Sequence, residues 1–449
     1  MKIAKKGGQV RCATLILACI ALAQWIAVEA AASAPPRAVD DTRAQSAGIR
    51  KIASRHLVLY TDVPGDAEMD RLPAIFDQAA PQWAEYFGVD EAKLANWQAQ
   101  AYVIADRRRF DALGLMPADH DEFVNGLSVG SELWLYEQPT AYYRRHLLLH
   151  EGTHVFMAEV LGGCGPGWYM EGTAELLATH RLDEPTGRLT LSIMPRNRAE
   201  VPMIGRIKLV RDAFAAGRAL SFPAVMRIDN RRQLGNEAYA WCWAAATFLD
   251  SHPRYRQRFR KLRHHVLDVN FNDNVRRQYA DDWKNLTTEW QAVIATLEHG
   301  YDFERMAIDF QRGQPLQAGP QRATIAADRG WQPSGVLLEA GRSYRVTASG
   351  RYQIAADEND GATQPWACEP GGVTIEYHDG RPLGILLGAI DARSNDASVA
   401  SFAHPIPIGL AATITPPASG TLYLRVNDSA GRLDDNRGTL TVTIETIRE

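Results

Sequence analysis

Read from the amino end, the apolar positions of this chain pass through three regimes. Residues 56–61 and 100–104 are short runs rich in β-branched and aromatic side chains, and they flank an amphipathic stretch over 67–87. That order predicts strand, helix, strand. A third short run, 132–136, predicts another strand. The period then becomes helical over about 140–161 and is stopped by Gly162-Gly163. Helical segments are predicted over 168–179, 238–251 and 255–266, with a hairpin near 188–193. Beyond about residue 315 the pattern turns to short alternating runs punctuated by Gly, Pro, Asp and Asn, including 335–338, 344–347, 373–377, 422–426 and 439–444. Regular strands with turn residues between them predict a β-sandwich or jelly roll. The fold class expected is multidomain: an α+β, mainly helical domain with a small sheet over 50–315, then an all-β accessory domain over 325–449.

The amino terminus fits neither regime. Lys2, Lys5, Lys6 and Arg11 precede an apolar run over 13–28, followed by small residues around Ala32 and Ala34. This reads as a cleaved signal peptide, 1–30, and predicts a secreted or periplasmic protein. The run is shorter than the roughly 20 residues a membrane span needs, so no transmembrane segment is expected in the mature chain. Residues 31–49, rich in Ala, Pro and Asp without apolar periodicity, read as a disordered leader.

Composition narrows the partners. In 449 residues there are 49 Lys and Arg against 53 Asp and Glu, a net charge of −4, which provides no basic field for a phosphate backbone and excludes nucleic acid as an expected partner. Five cysteines, two of them inside the signal segment, do not make a disulfide scaffold. Cys164 and Cys242 leave one bridge open as an alternative to free thiols.

The chemistry concentrates in His150-Glu151-Gly152-Thr153-His154. Histidines four apart on a helix share one face, one turn apart, and can reach the same ion. Glu151 between them is free to take a proton from metal-activated water. A zinc site with an open corner needs a third donor, and Glu171 on the next helix supplies it. Glu175, one turn further, would accept the remaining N–H of an imidazole and fix its orientation. His146 reads as a helix-surface or supporting histidine, and His180 as a helix-terminal charge.

These residues resemble the pattern of the gluzincin zinc metallopeptidases, H-E-x-x-H followed by a glutamate, often as E-G-x-A, with an acidic residue four positions on. Here it falls on His150, Glu151, His154, Glu171 and Glu175. The resemblance implies a zincin fold, a Zn²⁺ cofactor, a peptide or protein substrate, and hydrolysis by zinc-activated water with Glu151 as general base. It also implies that the strand carrying Trp134 is the edge strand along which an extended substrate pairs. Tyr239 is similar in placement to the tyrosine of zinc aminopeptidases that donates to the oxyanion; the alternative is that it packs with Trp241 and Trp243. The Glu-Lys-Gly that follows that tyrosine in the family is Ala240-Trp241-Cys242 here, and no stretch for gripping a free amino terminus is evident.

The carboxy-terminal segment resembles, more loosely, calcium-dependent galactose-binding lectin sandwiches, through Val426-Asn427-Asp428 and Asp434-Asp435-Asn436-Arg437-Gly438. That resemblance implies Ca²⁺ held by Asp428, Asp435 and Asn436, hard oxygen donors suited to the ion, and a glycan or cell-surface ligand. The rival to the peptidase reading is a carbohydrate-binding or adhesion protein with a catalytically inactive zincin domain.

Overall fold

The computed structural model describes residues 35–447 except 118–122, 230–233, 318, 360–361 and 393–400. The segment read as a signal peptide lies outside the described residues. Of the expected disordered leader, 31–49, residues 31–34 lie outside them too, and 35–49 do not. Asp41–Ser46 forms a short helix, α1, whose N-cap Asp40 accepts from the backbone N–H groups of Thr42 and Arg43. Ala44 is buried, and Arg37 pairs with Glu132 at 2.8 Å. Order here comes from docking and capping, which leave no periodicity to read.

The next strands are β1 (Arg50–Ala53), β2 (Leu57–Thr61), β3 (Ala99–Ile104), β4 (Gly126–Val129) and β5 (Glu132–Tyr136). They form one sheet in the order β1-β2-β3-β5-β4. β2, β3 and β5 run parallel, and β4 closes the edge antiparallel to β5. The helix α2 (Leu72–Phe87) fills the crossover between β2 and β3, as parallel neighbours require.

This order corrects one expectation. β5 is not the edge strand, because Gly126–Val129 pairs with it through a tight turn at Gly130 and Ser131, with Val129 opposite Glu132. Gly130 has φ 58°, which suits glycine. Trp134 is consequently sealed: 1% exposed, stacked on Tyr102 with ring centroids 5.4 Å apart, its indole N–H donated to Leu115 O at 2.8 Å. It has no surface to offer a substrate. The edge belongs to β4.

Helices α3 (Ala141–Phe156), α4 (Gly167–Ala178), α5 (Arg206–Ala215), α6 (Asn236–Ser251) and α7 (Trp283–Thr296) build the rest of this part. Thr140 caps α3 by accepting from Tyr143 N. α3 ends in a π-helical turn and Gly162, at φ 81°. Two glycines set how closely the helices pack. A Cβ at Gly152 of α3 would lie 2.6 Å from Phe76 of α2, and one at Gly172 of α4 would lie 2.6 Å from the Cys242 carbonyl oxygen of α6. α4 therefore meets α6 at backbone distance, and α3 seats the rings of α2, around one apolar core that includes Trp83, Trp168, Trp241 and Trp290.

The β-rich part begins earlier than expected, since Gln314–Pro315 (β6) already pairs with Gln332–Leu338. After β7 (Gln321–Ala326) and β8 (Gln332–Leu338) come β9 (Tyr344–Ser349), β10 (Leu386–Asp391), β11 (Ile406–Pro407), β12 (Ala411–Ile414), β13 (Gly420–Val426) and β14 (Thr439–Thr446). One sheet has the order β11-β10-β13-β8-β6 and the other β12-β9-β14-β7. Ile325, Val336, Val346, Leu424 and Val442 fill the space between them. β14 alternates buried and open positions, but every residue of β13 is buried. Its outer face is covered by the helical part through a cluster of Ala292, Ile308, Trp331, Leu387, Phe402 and Tyr423.

Candidate metal centre

His150, Glu151 and His154 lie on α3, and Glu171 and Glu175 on α4. His150 Nε2 stands 3.1 Å from His154 Nε2 and 3.2 Å from Glu171 Oε2, and His154 Nε2 is 3.3 Å from that same oxygen. Donors bonded at roughly 2.0–2.1 Å to one tetrahedral ion sit about 3.3 Å apart. The near-equilateral triangle of the three donors thus fits one divalent ion with a fourth corner left over. Glu171 is buried, with its Oε2 turned to the two imidazoles. These three residues can hold a metal ion.

The surroundings are polarised for that task. Burial by itself lowers His150, but hydrogen bonds to Glu171 and Glu175 overcome it and raise the imidazole to about 10. Burial pushes Glu171 up, yet the charge of His154 and hydrogen bonds from both histidines bring it down to about 2. Glu151 is the exception. It is 7% exposed, and burial raises its carboxyl above the ordinary range, against the pull of His150 and His154. It leans on β4: the Ser128 side chain hydrogen-bonds it, and a Cβ on Gly126 would lie 2.6 Å from Glu151 Oε1. The edge strand and the carboxylate that needs a proton partner are in contact. A turn signal at Gly130-Ser131 was the clue in the sequence to that strand.

Glu175 lies behind His150, with Oε1 3.3 Å from its Nδ1. It is clasped by Arg206 of α5 through two bonds, Nε to Oε2 at 2.8 Å and Nη2 to Oε1 at 2.7 Å. The same guanidinium sits 5.4 Å from the centroid of Tyr239, whose ring is 6.0 Å from that of His150. Arg206 carries no motif, and its role follows only from where α5 packs. Removing a group that orients a metal-binding histidine typically costs 10–100-fold in metal affinity. Arg206→Met is expected to weaken zinc binding by about that factor, with part recovered in Arg206→Lys, as a competitive zinc titration would read. Unchanged affinity in both variants would mean that Arg206 does not steady His150 through Glu175.

The neighbouring histidines are buried, not on the surface. His146 has Nε2 3.4 Å from Glu175 Oε2 and is fully buried, which lowers its pKa. His180 stacks on Tyr142 with ring centroids 4.4 Å apart and receives Arg145 Nε at 3.3 Å. Burial takes His180 down to about 3, so it is neutral, a core acceptor and no helix-end charge. Because the unfolded imidazole binds a proton near 6.5, stability is lost as pH falls from about 6.5 toward 3. His180→Gln is expected to flatten the pH dependence of unfolding free energy between pH 6 and 4 by roughly 1.4 kcal/mol per unit. Denaturant titrations of both proteins test this, and parallel curves would contradict it. Cys164 and Cys242 are free thiols, not a bridge.

In the β-rich part, the loop after β13 brings the expected calcium residues together. Asp428 is 2% exposed and hydrogen-bonds Asn436, with Asp435 close enough to act on its charge; burial raises Asp428 to about 6. Asp428 Oδ2, Asp435 Oδ1 and Asn436 Oδ1 are all buried without a partner among the described residues. The loop docks on the helical part, where Glu298 accepts from Ser429 Oγ at 2.8 Å and from Ala430 N.

No helix among the described residues is long and apolar enough to cross a membrane. No protein-family model matches the chain, and no curated protein matches it. Among solved structures it is similar to the EclA N-terminal domain, a PllA-like lectin, at 22% identity over 28% of this chain and 96% of that one, with a TM-score of 0.21.

Proposed function

We propose that this chain is a gluzincin-like zinc peptidase, exported and hydrolysing peptide bonds. The observation that carries the reading is the triangle of His150, His154 and Glu171 donors with the buried Glu151 carboxylate beside it. Zinc bound there supplies Lewis acidity and brings the pKa of its water to about 7. Glu151 takes the proton from the attacking water and returns it to the leaving amine, a role that its raised pKa suits. Tyr239, its ring 6.0 Å from that of His150, donates to the developing oxyanion. β4 has no second neighbour among the described strands, so its free backbone groups pair with an extended substrate and lay the scissile bond beside Glu151. Digestion of a peptide library by the zinc-loaded chain tests the reading. Discrete cleavage products, absent from Glu151→Gln at equal zinc content, support it; no cleavage by the wild type, or equal cleavage by both, overturns it.

A second metal reading rests on the three orphaned oxygens of Asp428, Asp435 and Asn436. Hard oxygen donors of this kind suit Ca²⁺, and the ion's place is to fix the loop that docks on Glu298. Calcium at 100 times its dissociation constant is expected to stabilise the chain by about 2.7 kcal/mol. Asp428→Asn is expected to lose most of that increment in calorimetry, and an equal response of the variant would refute the assignment.

A further inference from the structure

The junction between the helical and β-rich parts forms a cavity of about 160 Å³ that opens to solvent, away from the metal centre. One wall is apolar, made by Trp331, Leu387 and Phe402. The other carries Arg425 of β13, a guanidinium 4% exposed. Its plane lies 5.4 Å from the Trp331 ring, and its Nη2 makes only a long contact, 3.4 Å, with the Asp428 carbonyl. Nε and Nη1 have no acceptor among the described residues. A charge buried without partners is costly, so native interiors rarely leave one unanswered.

Among the described residues no carboxylate hydrogen-bonds the Arg425 Nε or Nη1. Asp379 is held by Arg211 of α5 at 3.1 Å, Glu298 accepts from Ser429 and Ala430, and Asp428 Oδ1 accepts from Ser429 N at 2.6 Å. With no acceptor for Nε and Nη1 among the described residues, the cavity beside them has room for one from outside the chain. A cavity of about 150 Å³ holds one benzene-sized group, so there is room for a ring or a branched alkyl of that size against Trp331 and Phe402. A bare phosphate would answer the arginine but leave the apolar wall unfilled.

We propose that this junction cavity binds a small organic carboxylate, its anion on Arg425 and its apolar body against Trp331 and Phe402. Arg211 and Phe214 of α5 line the same cavity as Arg425 and Phe402, so the ligand spans both parts of the chain and clamps them together. This proposal stands independently of the peptidase reading.

Calorimetric titration of the full chain with benzoate, benzyl alcohol and inorganic phosphate tests it. Benzoate is expected to bind saturably, one per chain, and at least tenfold more tightly than either of the others. Arg425→Met is expected to weaken benzoate at least tenfold. Ala403→Phe, which fills the cavity from its wall and leaves Arg425 in place, is expected to do the same and guards against a folding defect in the arginine variant. Absence of saturable benzoate binding, phosphate or benzyl alcohol binding as tightly as benzoate, or an undiminished benzoate response in Ala403→Phe would each overturn the proposal.

Discussion

Glu151→Gln is expected to retain zinc at wild-type stoichiometry while losing about 10²–10⁴-fold in kcat on any peptide the chain cleaves, the usual worth of a positioned general base. The change is nearly isosteric, and the side chain does not belong to the donor triangle, so metal content and fold should be unaffected. The amide removes only the capacity to accept a proton. The close approach of Gly126 offers a separate control on placement. A Cβ there would lie 2.6 Å from Glu151 Oε1, so Gly126→Ala must displace the carboxylate and is expected to depress turnover as well. Steady-state kinetics on one peptide, with zinc measured on the same samples, distinguishes loss of the base from loss of the ion. Equal kcat in Glu151→Gln and wild type would mean that the proton is taken elsewhere and would remove Glu151 from the reaction.

The second large effect concerns the ion itself. Because a bound metal stabilises only the folded chain, free zinc at 1,000 times its dissociation constant should raise unfolding free energy by about 4 kcal/mol. In His154→Ala one corner of the triangle is gone, and the increment is expected to fall close to zero under the same conditions. His154 suits this test better than His150, because His150 also faces Glu175 at 3.3 Å and its removal would leave the clasp of Glu175 and Arg206 without its third member. Thermal or chemical denaturation with and without zinc reads both proteins. A zinc increment as large in His154→Ala as in the wild type would place the stabilising ion elsewhere.

How much of this was legible in the sequence follows from the range of the interactions. His150, His154, Glu171 and Glu175 occupy two consecutive helices, so helical spacing alone brings them to one side, and their convergence could be anticipated. The glycines inside both motifs were legible as motif letters but not as what they are, the points where α3 meets α2 and α4 meets α6. Long-range partners left no trace. Arg206 reaches Glu175 from a helix whose position is set by packing, and the burial of His180 depends on Tyr142 and Arg145. Local signals also misled. The apolar run around Trp134 has the composition of a strand in either a central or an edge position, and only the short β4 hairpin partner decides between them. Residues 35–49 read as disordered because a capped, six-residue helix held by an Arg37–Glu132 pair has too few apolar positions to show a period.

Whether His150, His154 and Glu171 share one ion is read by X-ray absorption at the zinc edge of the zinc-loaded chain. One zinc per chain is predicted, with two imidazole nitrogens and oxygen donors at roughly 2.0–2.1 Å and the imidazole signal halved in His154→Ala. A sulfur shell near 2.3 Å, or a spectrum of oxygen donors alone that is unaltered in His154→Ala, would contradict it.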